Sequence, residues 1–203
     1  MGLSIAYTGR LKEAKLLPDL IEEIVDIVKI YDWQYTVFED KYPEDKFYDT
    51  SYEDAYGIIF SPPKSEPVFL TFLSDGRMID PFLLKFIKND EERQQKDKFW
   101  VFTKTQYAGI EVHKVIIRLF KYLSGKYLDD FEMSDDSRFW ETDDETILKE
   151  SFERFDFIMD KFAEALDEFD AGETVDQESL VKKLLEYLKN KFGDEGFNYK
   201  SGD

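Results

Sequence analysis

The chain has 203 residues, with 45 acidic against 27 basic side chains, a formal net charge of −18, one histidine and no cysteine. The lack of cysteine excludes a disulfide framework, a thiolate zinc site, an iron–sulfur cluster and a cysteine nucleophile. Hydrophobic residues make up 42% and aromatic ones 17%, enough apolar area for a sizeable core, so the charge does not make the chain disordered.

Leu3 to Tyr7 alternate apolar with small or polar residues, the period of a half-buried strand, and Gly9 is expected to close it. Leu17, Leu20, Ile21, Ile24, Val25 and Val28 then recur at helical spacing to about Tyr31. Pro18 suits the first turn, and Asp19, Glu22 and Glu23 sit at the positive end of the dipole. Trp33 to Phe38 reads as a strand, making the opening β-α-β. Asp40 to Tyr56 follows neither period and is read as a long acidic loop laying its aromatic rings on the surface. A meander comes next, with strands at Gly57–Phe60 and Val68–Leu73 around the Ser61–Pro67 turn. Asp75-Gly76 signals a hairpin into a short strand at Arg77–Ile79.

Leu83 to Lys98 reads as an exposed crossing with some helix, and Phe99 to Thr103 as a buried strand. Val112, Val115, Ile116, Leu119, Phe120 and Leu123 form one face of a second helix that Gly125 is expected to cap. Leu128 to Met133 reads as a last short strand. Thr142-Asp143-Asp144-Glu145 and Thr174-Val175-Asp176-Gln177 match capping boxes. The first opens a helix striped by Leu148, Phe152, Phe155, Phe162, Leu166 and Phe169, which Gly172 breaks. The second opens a helix with Leu180, Val181, Leu184, Leu185, Leu188 and Phe192, ending near Gly193 before a frayed tail.

These elements give an α+β fold: a mainly antiparallel sheet of about six strands, two βαβ-like units with helices on one face, and extra C-terminal helices. Residues 1–170 are read as a single domain and 171–203 as a helical appendage able to mediate self-association. The N-terminus shows no signal peptide, and no apolar stretch reaches the length needed to span a bilayer, so the expected location is the cytoplasm.

The charge is unevenly placed. Gly125 to Asp176 holds 19 acidic and 5 basic residues, the remainder 26 and 22. Such a segment repels phosphates and anionic membranes and attracts a basic protein partner or cations. The alternative is a solvated face that only keeps the chain in solution.

The G-x-S-x-G elbow, the P-loop, the dinucleotide fingerprint and H-E-x-x-H are all absent. His113, early in the second helix, is the single imidazole available as a general base. Its neighbours one turn away, Gly109, Ile110, Ile116 and Ile117, favour a hydrogen-bonded structural role at the core's edge. Thr103 to Gly109 joins a strand to a helix N-terminus, where free N–H groups point outward. Thr103, Thr105, Gln106, Glu111 and His113 are therefore the first place to look for a pocket. Ser134 to Glu145 adds Trp140 and Glu141. Its carboxylates and hydroxyls at alternate positions are of the kind that ligate Mg²⁺ or Ca²⁺, but they lack EF-hand spacing, and the preferred reading is that the acids face water and stabilise the following helix. No cofactor, metal site or catalytic residue is assigned.

The strings TKTQYAGIEVH (Thr103 to His113) and SDDSRFWETDDE (Ser134 to Glu145), with the opening GLSIAYTGRL, resemble a family of uncharacterised bacterial proteins over about Gly2 to Phe169. The family has glycines where Asp136, Ser137 or Arg138 stand, so this loop departs from it. The resemblance implies one domain and carries no activity. The expectation is a non-catalytic acidic binding protein of the immunity or inhibitor kind. An enzyme or small-ligand protein with a pocket near Thr105, Gln106 and His113 is the alternative.

Overall fold

A computed structural model describes residues 2–170 and 176–192. The chain divides into two compact units, Met1–Leu148 and Lys149–Asp203. The fold class is α+β, with six strands divided between two three-stranded antiparallel sheets. In the first sheet β1 (Ser4–Leu11) lies between β5 (Val101–Lys104) and β6 (Leu128–Asp135). The second runs β2 (Gln34–Val37), β3 (Tyr56–Ser61), β4 (Val68–Phe72).

The two helical crossovers end differently. β5 and β6 are both antiparallel to β1 and flank it, so α4 (Ile110–Tyr127) closes a split β-α-β unit. By contrast, α1 (Leu17–Ile30) leads from β1 in one sheet to β2 in the other, so the opening β-α-β run forms no unit within a single sheet. The sheets are joined where the 76–79 segment bonds to both: Met78 N donates to Gly9 O and Ile79 N to Thr71 O, each at 2.9 Å. That segment makes isolated bridges, Arg10 with Arg77 and Phe72 with Met78, in place of the expected short strand. Tyr7 of β1 adds a second join, because its buried hydroxyl accepts from Phe69 N of β4 at 2.9 Å.

The apolar periods of α1 and α4 are met by what they cover. Leu17, Leu20, Ile24 and Val28 of α1 are fully buried, as are Ile58 and Phe60 of β3, and Trp33 stacks on Phe60 at 5.9 Å. On α4, Ile116, Ile117, Phe120 and Leu123 are fully buried, with Phe120 4.5 Å from Tyr7 and 5.7 Å from Phe131 of β6. Burying each such side chain contributes about 1.5–3 kcal/mol.

Several local expectations are corrected. Gly9 does not close β1; it lies at a bulge between Thr8 and Arg10, and the strand continues to Leu11. Gly125 does not cap α4, which runs on to Tyr127 and passes directly into an eight-residue β6. The Tyr42–Tyr56 loop turns rings inward: Tyr42 is 2% exposed, stacks on Tyr56 at 4.3 Å and donates to Leu73 O at 2.8 Å. β5 is buried on one face only, since Val101 and Thr103 are covered while Phe102 is exposed.

The first capping box does not form as expected. Before α6 (Glu145–Glu168) the cap is Asp144, whose Oδ1 accepts from Thr146 N at 2.7 Å. Thr142 instead accepts from Asp144 N and donates to Arg138 O. The freed Glu145 pairs with Lys114 at 3.0 Å and Arg118 at 3.2 Å. α7 (Gln177–Phe192) is capped by Asp176, which accepts from Ser179 N at 2.8 Å; Gly172, Thr174, Val175 and Gly193 lie outside the described residues. Within the second unit Phe169 meets Tyr187 at 5.5 Å, and Glu168 pairs with Lys191. Among the described residues no helix is long and apolar enough to cross a membrane.

Candidate functional site

The strand alternation of β6 places Phe131, Met133 and Asp135 on its inward side, so a carboxylate arrives where an apolar side chain is the rule. α4 enters the same space from above with His113, one turn from its start. The chain just before α4 supplies Thr105, and the turn after β6 supplies Ser137. All four are buried, three of them completely.

The hydrogen bonds among them are dense. Thr105 Oγ1 lies 2.8 Å from His113 Nδ1, and Ser137 Oγ lies 2.9 Å from His113 Nε2. Asp135 Oδ2 is 3.3 Å from the same Nε2 and accepts from Ser137 Oγ at 2.7 Å and Trp140 N at 3.0 Å. Asp135 Oδ1 accepts from Ser137 N at 2.8 Å. Four segments of the first unit are therefore tied at one point.

Serine, histidine and aspartate together invite comparison with nucleophilic catalysis. There, nucleophile and carboxylate bond opposite nitrogens of the imidazole, and the serine proton goes to the ring. Here Asp135 and Ser137 share Nε2, Thr105 holds Nδ1, and the serine hydroxyl donates to the carboxylate. The arrangement clamps β6 and the first turn of α4 to the segment after β5, and it has no exposed nucleophile.

Burial pushes the Asp135 carboxyl upward, but His113, the Ser137 hydroxyl and the Ser137 amide outweigh it and hold the group below the usual carboxylate range. Its unfolded value is about 4. Because the folded value is the lower one, the stabilisation is fully present above about pH 5 and is lost as pH falls through the folded value. The urea midpoint of the wild type should therefore fall more steeply on acidification than that of Asp135→Asn, narrowing the gap between them. A gap that stays constant from neutral to acid pH contradicts this.

The other residues singled out from the sequence do not converge on this cluster as a pocket. Thr103 is buried, donates to Pro67 O at 2.9 Å and meets Tyr7 OH at 3.3 Å. The Gln106 amide lies against the backbone of Gly2. Glu111 is exposed and pairs with Lys114 at 3.3 Å. Trp140 is half-buried, edge-on to Phe131 at 5.7 Å, and Glu141 is exposed.

No family model, curated protein or solved structure matches this chain.

Site chemistry therefore rests on geometry. Among the described residues no group of three or more metal-ligating side chains could hold a metal ion.

Asp135, expected to face water with the other carboxylates of Ser134–Glu145, is instead buried, and its pairing with Ser137 and His113 is not legible in the sequence, although the period of Phe131 and Met133 points Asp135 inward. A second feature was also missed. At the Gly9 bulge a polar cleft of about 340 Å³ opens, lined by Arg10, Asp75, Arg77, Asp97, Lys98 and Asp130. Its charges are largely satisfied internally: Arg77 Nε pairs with Asp75 at 2.8 Å and Arg10 donates to Asp75 O at 2.7 Å.

Proposed function

We propose that this chain is a non-catalytic binding protein of the cytoplasm whose acidic surface engages a basic protein partner, as an immunity protein or inhibitor does. The supporting observation is how its carboxylates are disposed. Of those described between Gly125 and Asp176, only Asp135 is buried; every other is exposed. In the first unit they project from β6, from α5 (Phe139–Thr142), from the turns beside it and from the start of α6; in the second most project from α6. β6 is held by the Asp135 clamp at one end and presents Asp129, Asp130 and Glu132 along an outer edge of its sheet. Fixed like charges of this kind accelerate encounter with a cationic surface and disfavour phosphate backbones.

The pocket reading has less support, because Thr105 and His113 are fully buried and bonded to each other. Self-association through α7 is a separate reading, favoured by exposed Leu180, Val181 and Leu185.

Immobilised chain should capture a basic partner with an association rate that falls about tenfold or more between about 50 and 500 mM salt. Neutralising Asp129, Asp130 and Glu141 together, by Asp→Asn and Glu→Gln, should slow capture with no change in melting temperature. Capture indifferent to both salt and these substitutions would refute the reading.

A further inference from the structure

β5 is an edge strand, with β1 on one side. The register pairs Ile5 with Thr103 and Tyr7 with Val101, and Leu3 O accepts from Thr105 N. In an antiparallel ladder the residues between these, Phe102 and Lys104, direct their N–H and C=O away from β1. The outward groups of Lys104 are taken: its N–H donates to Glu66 Oε2 and its C=O accepts from Glu66 N, both at 2.9 Å. The corresponding groups of Phe102 have no partner among the described residues.

The surface beside this open edge is unlike the rest of the molecule. Trp100 and Phe102 are 38% and 61% exposed. They line a groove of about 270 Å³ together with Phe99 and the cations Arg93, Lys96 and Lys98, and no carboxylate lines it. In a chain of net charge −18 this is a local reversal of sign. Arg93 and Lys98 pair with Asp90 and Glu132, but these pairs are half-exposed and contribute little, so they can be exchanged for a partner's carboxylates. Natural edge strands are blunted by lysine. Here Lys98 and Lys104 bracket the segment but leave two aromatic rings between them.

We propose that the β5 edge is a strand-addition site for an extended segment of a partner protein whose groove-facing residues, every second position, are a mixture of apolar and acidic. The segment's main chain takes the N–H and C=O of Phe102; of the side chains on its groove face, the apolar ones lie on Trp100 and Phe102 and the acidic ones face Arg93, Lys96 and Lys98. A second copy adding its own β5 would bring Lys98 and Lys104 of both chains to the same edge, which charge disfavours. This surface meets the acidic one at the Lys98–Glu132 pair, but the proposal does not rest on the acidic surface.

The test uses two peptides about eight residues long with threonine at every second position, the positions between being valine and glutamate in turn in one peptide and valine and lysine in turn in the other. The glutamate peptide is expected to slow hydrogen exchange at the Phe102 amide and to bind about tenfold more tightly than the lysine peptide. Phe102→Pro removes the outward-facing donor and the exposed ring but no bond to β1, a change that edge strands tolerate, and should abolish binding while the chain stays folded. If that variant fails to fold, Lys96→Glu combined with Lys98→Glu makes the same test without touching the backbone. The proposal is overturned if the glutamate peptide does not bind, or if both peptides bind equally. It is also overturned if the Phe102 amide becomes protected with rising protein concentration alone, which would make a second copy the occupant.

Discussion

The Asp135→Ala variant is expected to lose about 3–5 kcal/mol of folding stability, a large share of the 5–15 kcal/mol typical of a domain. Its carboxylate is the common acceptor for Ser137 N, Ser137 Oγ and Trp140 N and faces His113 Nε2, all at or inside the core. A buried donor left without an acceptor costs about 1–3 kcal/mol. Ser137 and His113 can still bond each other at 2.9 Å, which limits the loss. Asp135→Asn should cost less, because Oδ1 keeps its bond from Ser137 N while the amide cannot accept at the second position. Urea denaturation checks the size of the effect, and hydrogen exchange at the Trp140 amide checks its origin. A loss below about 1 kcal/mol would mean that the cluster does not hold β6 and α5 in place.

Gly57→Ala should be comparably damaging for a different reason. Gly57 has φ of 119°, a conformation that side-chain-bearing residues rarely adopt, and a Cβ there would collide with the carbonyl oxygen of Leu70 across the strand pair. The backbone cannot swing away easily, since Gly57 N donates to Glu39 O at 2.9 Å and Gly57 O accepts from Phe38 N at 2.8 Å. Strain and overpacking each cost about 1–3 kcal/mol, so a loss of about 3 kcal/mol or more is expected from thermal or urea unfolding. Gly125→Ala is the matched control. Gly125 lies inside α4 with open space around its Cα, and alanine there should stabilise by about 0.5–1 kcal/mol. If both variants behave alike, backbone geometry is not what makes Gly57 a glycine.

Legibility of the fold in the sequence tracks how local each determinant is. α1 and α4 were readable because their burial follows a 3.6-residue period, with Leu17, Leu20, Ile24 and Val28 on one stripe and Ile116, Phe120 and Leu123 on the other. Helix caps were less readable, because neighbouring residues compete for the same N–H groups. Thr142 and Asp144 both qualified, and Asp144 won once Glu145 found Lys114 and Arg118. Gly9 and Gly125 look like terminators in isolation, but partners across the sheet and along the helix carry the chain through both.

The clamp was only half visible. Thr105 and His113 are eight residues apart and were grouped from the sequence, whereas Asp135 and Ser137 lie more than twenty residues further on. Their adjacency depends on β6 returning beside β1, a pairing that no local period specifies.

Composition and periodicity by themselves determined the α+β class, the main helices and strands, the absence of cysteine chemistry and the uneven negative charge. Each of these is a property of residue type or of spacing along the chain. Only the tertiary structure decided that six strands form two sheets, that the single imidazole is enclosed by Thr105, Asp135 and Ser137, and that Phe102 keeps an open edge. Those outcomes depend on which distant segments satisfy one another's buried polar groups, and that is settled by packing in three dimensions.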